Sequence, residues 1–89
     1  MARLIVERSF DPPITDQELE SGARILDACL EQHGARWLCS YLSSDRRRMI
    51  CEFEAPDAEA VRASHRSAAA GFERVWAANV YRLGEPDAK

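Results

Sequence analysis

Hydrophobic and polar residues follow two different periods along this chain, and these separate four predicted strands from two predicted helices. Alternation at every second position, or a short β-branched apolar run, is typical of a strand, whereas spacings of three and four are typical of a helix. Strands are predicted at residues 2–9, 35–43, 47–55 and 75–83. Residues 43–46 form a polar turn, so the second and third strands are predicted to pair as a β-hairpin.

Two helices are predicted between these strands. The first begins with a capping box at residues 15–18, in which threonine and glutamate side chains each bond a backbone amide, and it extends to about Gln32. The second has Asp57 as its predicted N-cap and extends to about Ala70, with Gly71 as the residue that ends it. Each helix carries an apolar stripe, so each is predicted to pack against the sheet.

The order of the elements is β-α-β-β-α-β, which is the pattern of a ferredoxin-like α+β domain. Because β-α-β crossovers are right-handed, both helices are predicted on one face of a four-stranded antiparallel sheet. One such domain accounts for residues 1–83, and residues 84–89 are predicted to be a flexible polar tail.

Alternation within the strands predicts which side chains face the helices. The apolar rows that suit the helix side comprise Leu4, Val6, Met49, Cys51 and Phe53. The residues predicted to face away are Ile5, Glu7, Ile50, Glu52 and Glu54. In the second strand, alternation separates one set, Trp37, Cys39 and Tyr41, from another, Arg36, Leu38, Ser40 and Leu42. Which of these two sets faces the helices stays open, because a shift of one residue exchanges them.

The sheet face without helices mixes isoleucine and leucine with glutamate and arginine. Such a mixture resembles a protein interface more than a dry core. We therefore expect two copies to pack sheet to sheet as a homodimeric α+β barrel with two-fold symmetry. The alternative is a monomer whose sheet face is exposed to water.

Composition narrows the classes of partner and the compartment. The chain has 89 residues and a formal net charge of −3, which argues against a nucleic-acid-binding module because phosphate binding needs a basic face. We expect no membrane association, since no stretch approaches the ~20 apolar residues of a span and charged residues begin at Arg3. Cys29, Cys39 and Cys51 lie in apolar patterns without a paired motif, so we expect buried, reduced thiols in a cytoplasmic protein.

A family resemblance rests on six blocks of sequence. The blocks are Val6-Glu7-Arg8, Gly34-Ala35-Arg36-Trp37, Ser40-Tyr41, Arg48-Met49-Ile50-Cys51, Glu54-Ala55-Pro56-Asp57-Ala58-Glu59-Ala60-Val61-Arg62 and Phe72-Glu73-Arg74-Val75-Trp76. Together they resemble a family of small bacterial proteins of unknown function that includes an actinobacterial nickel-responsive, nickel-binding protein. The resemblance extends over residues 3–82.

The resemblance implies a ferredoxin-like fold, dimer formation and nickel binding. Relatives often carry a histidine in the middle of the second helix, and His65 lies in that region. Relatives also end this helix with an Ala-Gly-x-Pro turn. This chain departs from that pattern, since residues 68–71 read Ala-Ala-Ala-Gly and contain no proline.

His65 is the first candidate metal ligand, because it falls on the apolar stripe of the second helix and imidazole is a donor suited to nickel. Glu7 and Cys51 are further candidates, as carboxylate and thiolate donors. A site would join these residues within one subunit or use His65 twice across a dimer axis. The alternative is a helix-face histidine that bonds one backbone carbonyl or water.

Glu7 and Glu52 are predicted to be neighbours on the helix-free face, because the first and third strands pair in this topology. Two close carboxylates would raise the pKa of one of them and resemble an acid–base pair. The alternative is that arginines neutralise both carboxylates in a polar interface. The candidate arginines are Arg3, Arg36, Arg48 and Arg82.

Aromatic residues suggest a pocket for a flat organic ligand. Its candidate lining is Trp37, Tyr41 and Trp76, with Asn79 as a polar contact. We expect a small homodimeric binding protein whose candidate ligand is nickel or another divalent metal. The first alternative is a cofactor-independent enzyme, like a monooxygenase or isomerase, with a pocket between helices and sheet. The second is a purely structural dimer module. The sequence contains no Ser-His-Asp order, glycine-rich phosphate loop or zinc spacing. Whether the protein is an enzyme stays open, and a binding protein is the first hypothesis.

Overall fold

Six elements of regular structure build the protein, and the computed structural model describes residues 1–84. They are β1 (Ala2–Ser9), α1 (Asp16–Gln32), β2 (Arg36–Leu42), β3 (Arg48–Ala55), α2 (Ala58–Ser67) and β4 (Arg74–Ala78). This order confirms the predicted ferredoxin-like α+β fold. Neither described helix has the length and apolar character needed to cross a bilayer. Residues 85–89 of the predicted tail lie outside the described residues.

The strands form one antiparallel sheet in the order β2-β3-β1-β4. β1 lies in the interior of the sheet, where Leu4 is opposite Phe53 of β3 and Val6 is opposite Val75 of β4. β2 and β4 are therefore the edge strands.

Both helices pack on one side of the sheet, which we name the covered face. Its β1 and β3 residues are Leu4, Val6, Met49, Cys51, Phe53 and Ala55, each buried. The helices complete this core with Leu26, Leu30 and Val61. Burial of one large apolar side chain stabilises the fold by about 1.5–3 kcal/mol. The prediction of which β1 and β3 residues face the helices is confirmed.

The opposite side of the sheet has no helix and is named the open face. Strand register assigns to it Arg3, Ile5, Glu7, Arg36, Cys39, Tyr41, Ile50, Glu52, Glu54, Arg74, Trp76 and Ala78. The five β1 and β3 residues predicted to face away from the helices are all among them. Acidic, basic, aromatic and aliphatic side chains therefore share one exposed surface.

A β-bulge in β2 changes the face on which its side chains lie. Trp37 is opposite Phe53 and Cys39 is opposite Glu52, so Leu38 is an extra residue on β2. The predicted strict alternation is therefore wrong. Trp37 lies on the covered face whereas Cys39 lies on the open face, although alternation places them together.

α2 ends before the predicted Ala70. Ala69 adopts a left-handed φ of 54°, and the Ala70 N–H donates to the carbonyl of His65 at 2.8 Å. Together with a bond of 3.1 Å from the Ala69 N–H to the carbonyl three residues before it, this is a Schellman motif. Ala69 therefore takes the position that was predicted for Gly71, and the helix ends at Ser67.

β4 is also shorter than the predicted strand of residues 75–83. Its last paired residue, Ala78, is opposite Arg3 near the start of β1. Because the two strands are antiparallel, residues after Ala78 pass the beginning of β1 and soon have no partner on that side. Asn79 consequently lies beyond the strand.

Candidate functional site

His65 lies inside the core. Its side chain is fully buried, and Nδ1 lies 2.8 Å from the carbonyl oxygen of Val61, one turn earlier in α2. Because a carbonyl oxygen only accepts, Nδ1 carries the proton and Nε2 has a free lone pair. Among the described residues Nε2 has no hydrogen-bond partner. The ring stands edge-on to Phe53 and Phe72, with 5.5 Å between the centroids in each pair.

The surroundings of His65 keep its imidazole neutral. Burial lowers the pKa of His65, the bond to Val61 opposes this effect, and the nearby Arg8 guanidinium lowers the pKa further. Burial likewise raises the pKa of the Cys51 thiol. Arg8 is fixed by a bond of 2.7 Å from its Nε to the carbonyl oxygen of Gly71. The core therefore holds a neutral imidazole and a neutral thiol at neutral pH.

The three predicted metal ligands do not come together. His65 and Cys51 lie on the covered side of the sheet. Glu7 lies on the open face, because it follows Val6, which is opposite Cys51. The Glu7 carboxylate accepts the indole N–H of Trp76 at 2.8 Å. Within residues 1–84, no three His, Cys, Asp or Glu side chains are grouped so that they could hold a metal ion.

Glu52 is the centre of a polar cluster on the open face. Arg3 Nη1 donates to Glu52 Oε2 at 2.6 Å, and Cys39 Sγ donates to Glu52 Oε1 at 3.1 Å. The Cys39 thiol, and after it the Arg3 guanidinium, lower the pKa of Glu52, although partial burial opposes them. The hydrogen bond to Glu52 in turn raises the pKa of Cys39. At neutral pH the cluster therefore pairs a carboxylate with a protonated thiol.

Glu7 and Glu52 are not directly opposite one another. Glu7 is opposite Ile50 and Glu52 is opposite Ile5, so the two carboxylates are diagonal on adjacent strands. Each carboxylate has an arginine, since Arg74 Nε lies 3.7 Å from Glu7 Oε1. The lowered pKa of Glu52 is opposite to what an acid–base pair requires. This geometry supports neutralisation by arginines.

The four residues predicted to line one pocket are dispersed. Trp37 lies on the covered face with its ring centroid 5.6 Å from that of Phe53. Tyr41 and Trp76 lie on the open face, on opposite edge strands. Asn79 follows β4 and is exposed. Of the four, Trp37 borders a groove, which it forms with α1.

Cys39 is the residue that sequence reasoning missed. All three cysteines were expected to be buried, but Cys39 is exposed, Cys29 is half-buried and Cys51 is buried. The bulge at Leu38 places the Cys39 thiol beside Glu52. Since the apolar pattern contains no signal for the bulge, the pair was not visible in the sequence.

Comparison with known proteins identifies the family. A family model described as nickel responsive protein SCO4226-like matches residues 4–77. The crystal structure of SCO4226 from Streptomyces coelicolor A3(2) matches with a TM-score of 0.82 and 17% identity, over 91% of this chain and 100% of that chain. At this identity the match demonstrates the shared fold. No curated protein matches this chain. Because the family model spans most of its length, the chain belongs to the SCO4226-like family of nickel responsive proteins.

Proposed function

We propose that the protein is a cytoplasmic homodimer in which the open faces of two copies meet. We propose further that a divalent metal binds between these faces, and that nickel is the first candidate. The observation that carries this proposal is the uncovered apolar surface of the open face. Tyr41, Ile50 and Trp76 are 66%, 42% and 44% exposed, while the other side of the same sheet is buried beneath two helices. Large apolar side chains grouped on one surface are typical of an interface.

The charges of the open face suit contact with a second copy. A two-fold interface places the same surface on both sides, so it must be complementary to itself. The open face meets this requirement because it carries arginines and glutamates together.

A second copy also supplies what one chain lacks for metal binding. One chain offers no three convergent ligands within residues 1–84, but it does place Cys39 beside Glu52 on the open face. A two-fold axis beside this pair would bring two thiols and two carboxylates together. Thiolate and carboxylate groups are both ligands of divalent transition metals. The metal would displace the Cys39 proton and compete with Arg3 for Glu52.

The open face supports this pair over the set predicted from the sequence. His65 and Cys51 are fully buried, so a metal reaches them only if α2 moves away from the sheet. Cys39 is exposed and requires no such movement. The description of the family as nickel responsive supports nickel as the first metal to test.

The cytoplasm is proposed because the thiols are free. Cys29, Cys39 and Cys51 form no disulfide in this structure. Unpaired cysteines are usual in a reducing compartment.

The dimer is tested with two single variants, each of which introduces a glutamate on a different side of the molecule. Sedimentation velocity at micromolar concentration should give twice the chain mass for the wild type. Ile50→Glu should give the monomer mass, because it buries a carboxylate in the interface. Ile25→Glu, at a position 55% exposed on α1, is the matched control and should stay dimeric. A monomeric wild type overturns the dimer.

Metal binding is tested by calorimetric titration of the metal-free protein with Ni²⁺. We expect saturable binding of one ion per two chains, with thiolate-to-metal charge-transfer absorption. Cys39→Ser should abolish both signals, whereas Cys29→Ser should leave them unchanged. Absence of heat at tens of micromolar overturns nickel binding, and unchanged binding in Cys39→Ser overturns this choice of ligand.

A further inference from the structure

A groove runs between α1 and the edge strand β2, on the covered side of the sheet. Its volume is about 560 Å³, which lies within the range of small-molecule sites, about 300–1,000 Å³. Its apolar lining consists of Leu19, Ala23, Trp37, Leu42 and Met49. Its polar lining consists of Asp16, Glu20 and Ser40. The groove belongs to neither the open face nor the buried His65 site.

Local sequence explains why the space is not filled. Leu19 and Ala23 are one helical turn apart on α1 and both line the groove. Ala23 contributes only a methyl group, so the helix leaves a gap above β2. The bulge at Leu38 turns Trp37 to the covered side, where its ring borders this gap.

The polar lining is negative. Asp16 is engaged by Arg46, whose Nη2 lies 2.5 Å from Asp16 Oδ1. Glu20 is exposed, and no described basic side chain lies within ion-pair distance of it. The N-terminus of α1 opposes this charge with about half a positive unit, which is less than the full charge of a carboxylate. Glu20 is therefore an available partner for a cation.

Trp37 gives the groove an aromatic surface. Its indole N–H donates to Ser40 Oγ at 2.8 Å, so that donor is already used. The ring accordingly offers π surface to a ligand. Flat apolar groups stack on such a surface, and cations are attracted to the face of an indole.

We infer that this groove binds an amphipathic organic cation, with a flat apolar body against Trp37 and an ammonium group at Glu20. Size, apolar lining, aromatic wall and unneutralised carboxylate all suit a ligand of this class. The site is independent of the proposed dimer and metal, because those use the other side of the sheet.

The test uses two probes of similar shape and opposite charge, 1-naphthylmethylammonium and 1-naphthylacetate. Trp76→Phe makes Trp37 the sole tryptophan, so quenching of its fluorescence reports on the groove. We expect saturable quenching by the cation, with a Kd at least about tenfold below that of the anion, because a carboxylate near the ligand favours positive charge. Glu20→Gln should remove this preference, whereas Glu31→Gln, further along α1, should preserve it.

Filling the groove provides a second test. Ala23→Phe should weaken binding of both probes, and circular dichroism establishes that the variant is folded. If it is not, Ala23→Leu replaces it. Absence of saturable quenching up to millimolar probe overturns the site. Equal affinity for the two probes, or an unchanged preference in Glu20→Gln, overturns the assignment to a cation. Sedimentation of the wild-type protein tests the dimer separately, because Trp76→Phe alters the open face.

Discussion

β1 presents two sets of side chains that differ in kind, one to the helices and one to the open side. Leu4 and Val6 on the covered face are at most 1% exposed. Ile5 and Glu7, which alternate with them, lie on the open face, where Glu7 bonds a tryptophan and faces an arginine. One strand therefore serves a dry core on one side and a mixed polar surface on the other.

This difference shows that apolar residues alone do not determine whether a sheet face forms a core or a mixed polar surface. Isoleucine occurs on the open face, at Ile5 and Ile50, just as aliphatic residues occur on the covered face. The open face differs in having charged residues between its apolar ones. Interface surfaces commonly have this composition, whereas interior cores exclude unpaired charges.

The largest expected effect comes from a cavity under the helices. Phe53→Ala removes a fully buried ring that contacts Trp37 and His65, and it should lower the free energy of unfolding by about 3–5 kcal/mol. Ile50→Ala, three residues earlier on β3 but on the open face, should cost less than about 1 kcal/mol in the monomer. Urea denaturation measures both losses of stability, at a protein concentration low enough for the chain to be monomeric. Equal losses would contradict the distinction between the faces.

A change of pH should have a smaller effect on the free energy of unfolding, and it tests the covered face because His65 lies there. The pKa of His65 is lowered in the folded protein from its usual 6.5, so below that pH the unfolded chain binds a proton that the folded chain does not. The free energy of unfolding should therefore decrease as pH falls from about 6.5 towards the lower folded pKa, by about 1.4 kcal/mol for each unit between the two pKa values.

Urea denaturation between pH 7.5 and pH 5.5 checks this dependence on His65. His65→Leu should flatten the curve in this range, while His33→Gln, at the end of α1, should retain the His65 contribution. A His65→Leu curve as steep as that of the wild type would show that another group is responsible.

The smallest effect is expected on the open face. Arg3→Ala removes the ion pair between Arg3 and Glu52. The side chains of these two residues are 27% and 20% exposed, respectively. Since ion pairs near solvent contribute little, the monomer should lose about 1 kcal/mol or less, and the difference should shrink at 1 M NaCl. A loss as large as that of Phe53→Ala would mean that the open face stabilises the monomer as strongly as the core.

Much of the fold followed from local signals because those signals agree with the tertiary structure. The capping box at Thr15 and Glu18 is present, as is the Asp57 cap. Alternation in β1 and β3 predicted their faces correctly. It failed in β2, because one extra residue at Leu38 is invisible to a pattern of apolar positions. The predicted end of α2 was also wrong, because Ala69 takes the left-handed conformation that was expected at Gly71.

The candidate site was less predictable, because it depends on relations between elements. Helical spacing placed His65 on the apolar stripe, and its burial agrees with that placement. The predicted ligand set combined His65 with Glu7 although alternation had already placed Glu7 on the face without helices, and the strand register confirms that face. The proximity of Cys39 to Glu52 depends on the bulge, and the groove beside Ala23 depends on the separation of α1 from β2.

The extra residue in β2 also affects how chains are able to polymerise. β2 is an outer strand, so one flank of its backbone has amide and carbonyl groups that another strand could match. A bulged strand bends, and its main-chain groups fall out of step with those of a straight neighbour. Continuous growth into a cross-β fibre is thereby disfavoured along this flank. The bulge therefore makes β2 a less suitable edge for the addition of a strand from another molecule.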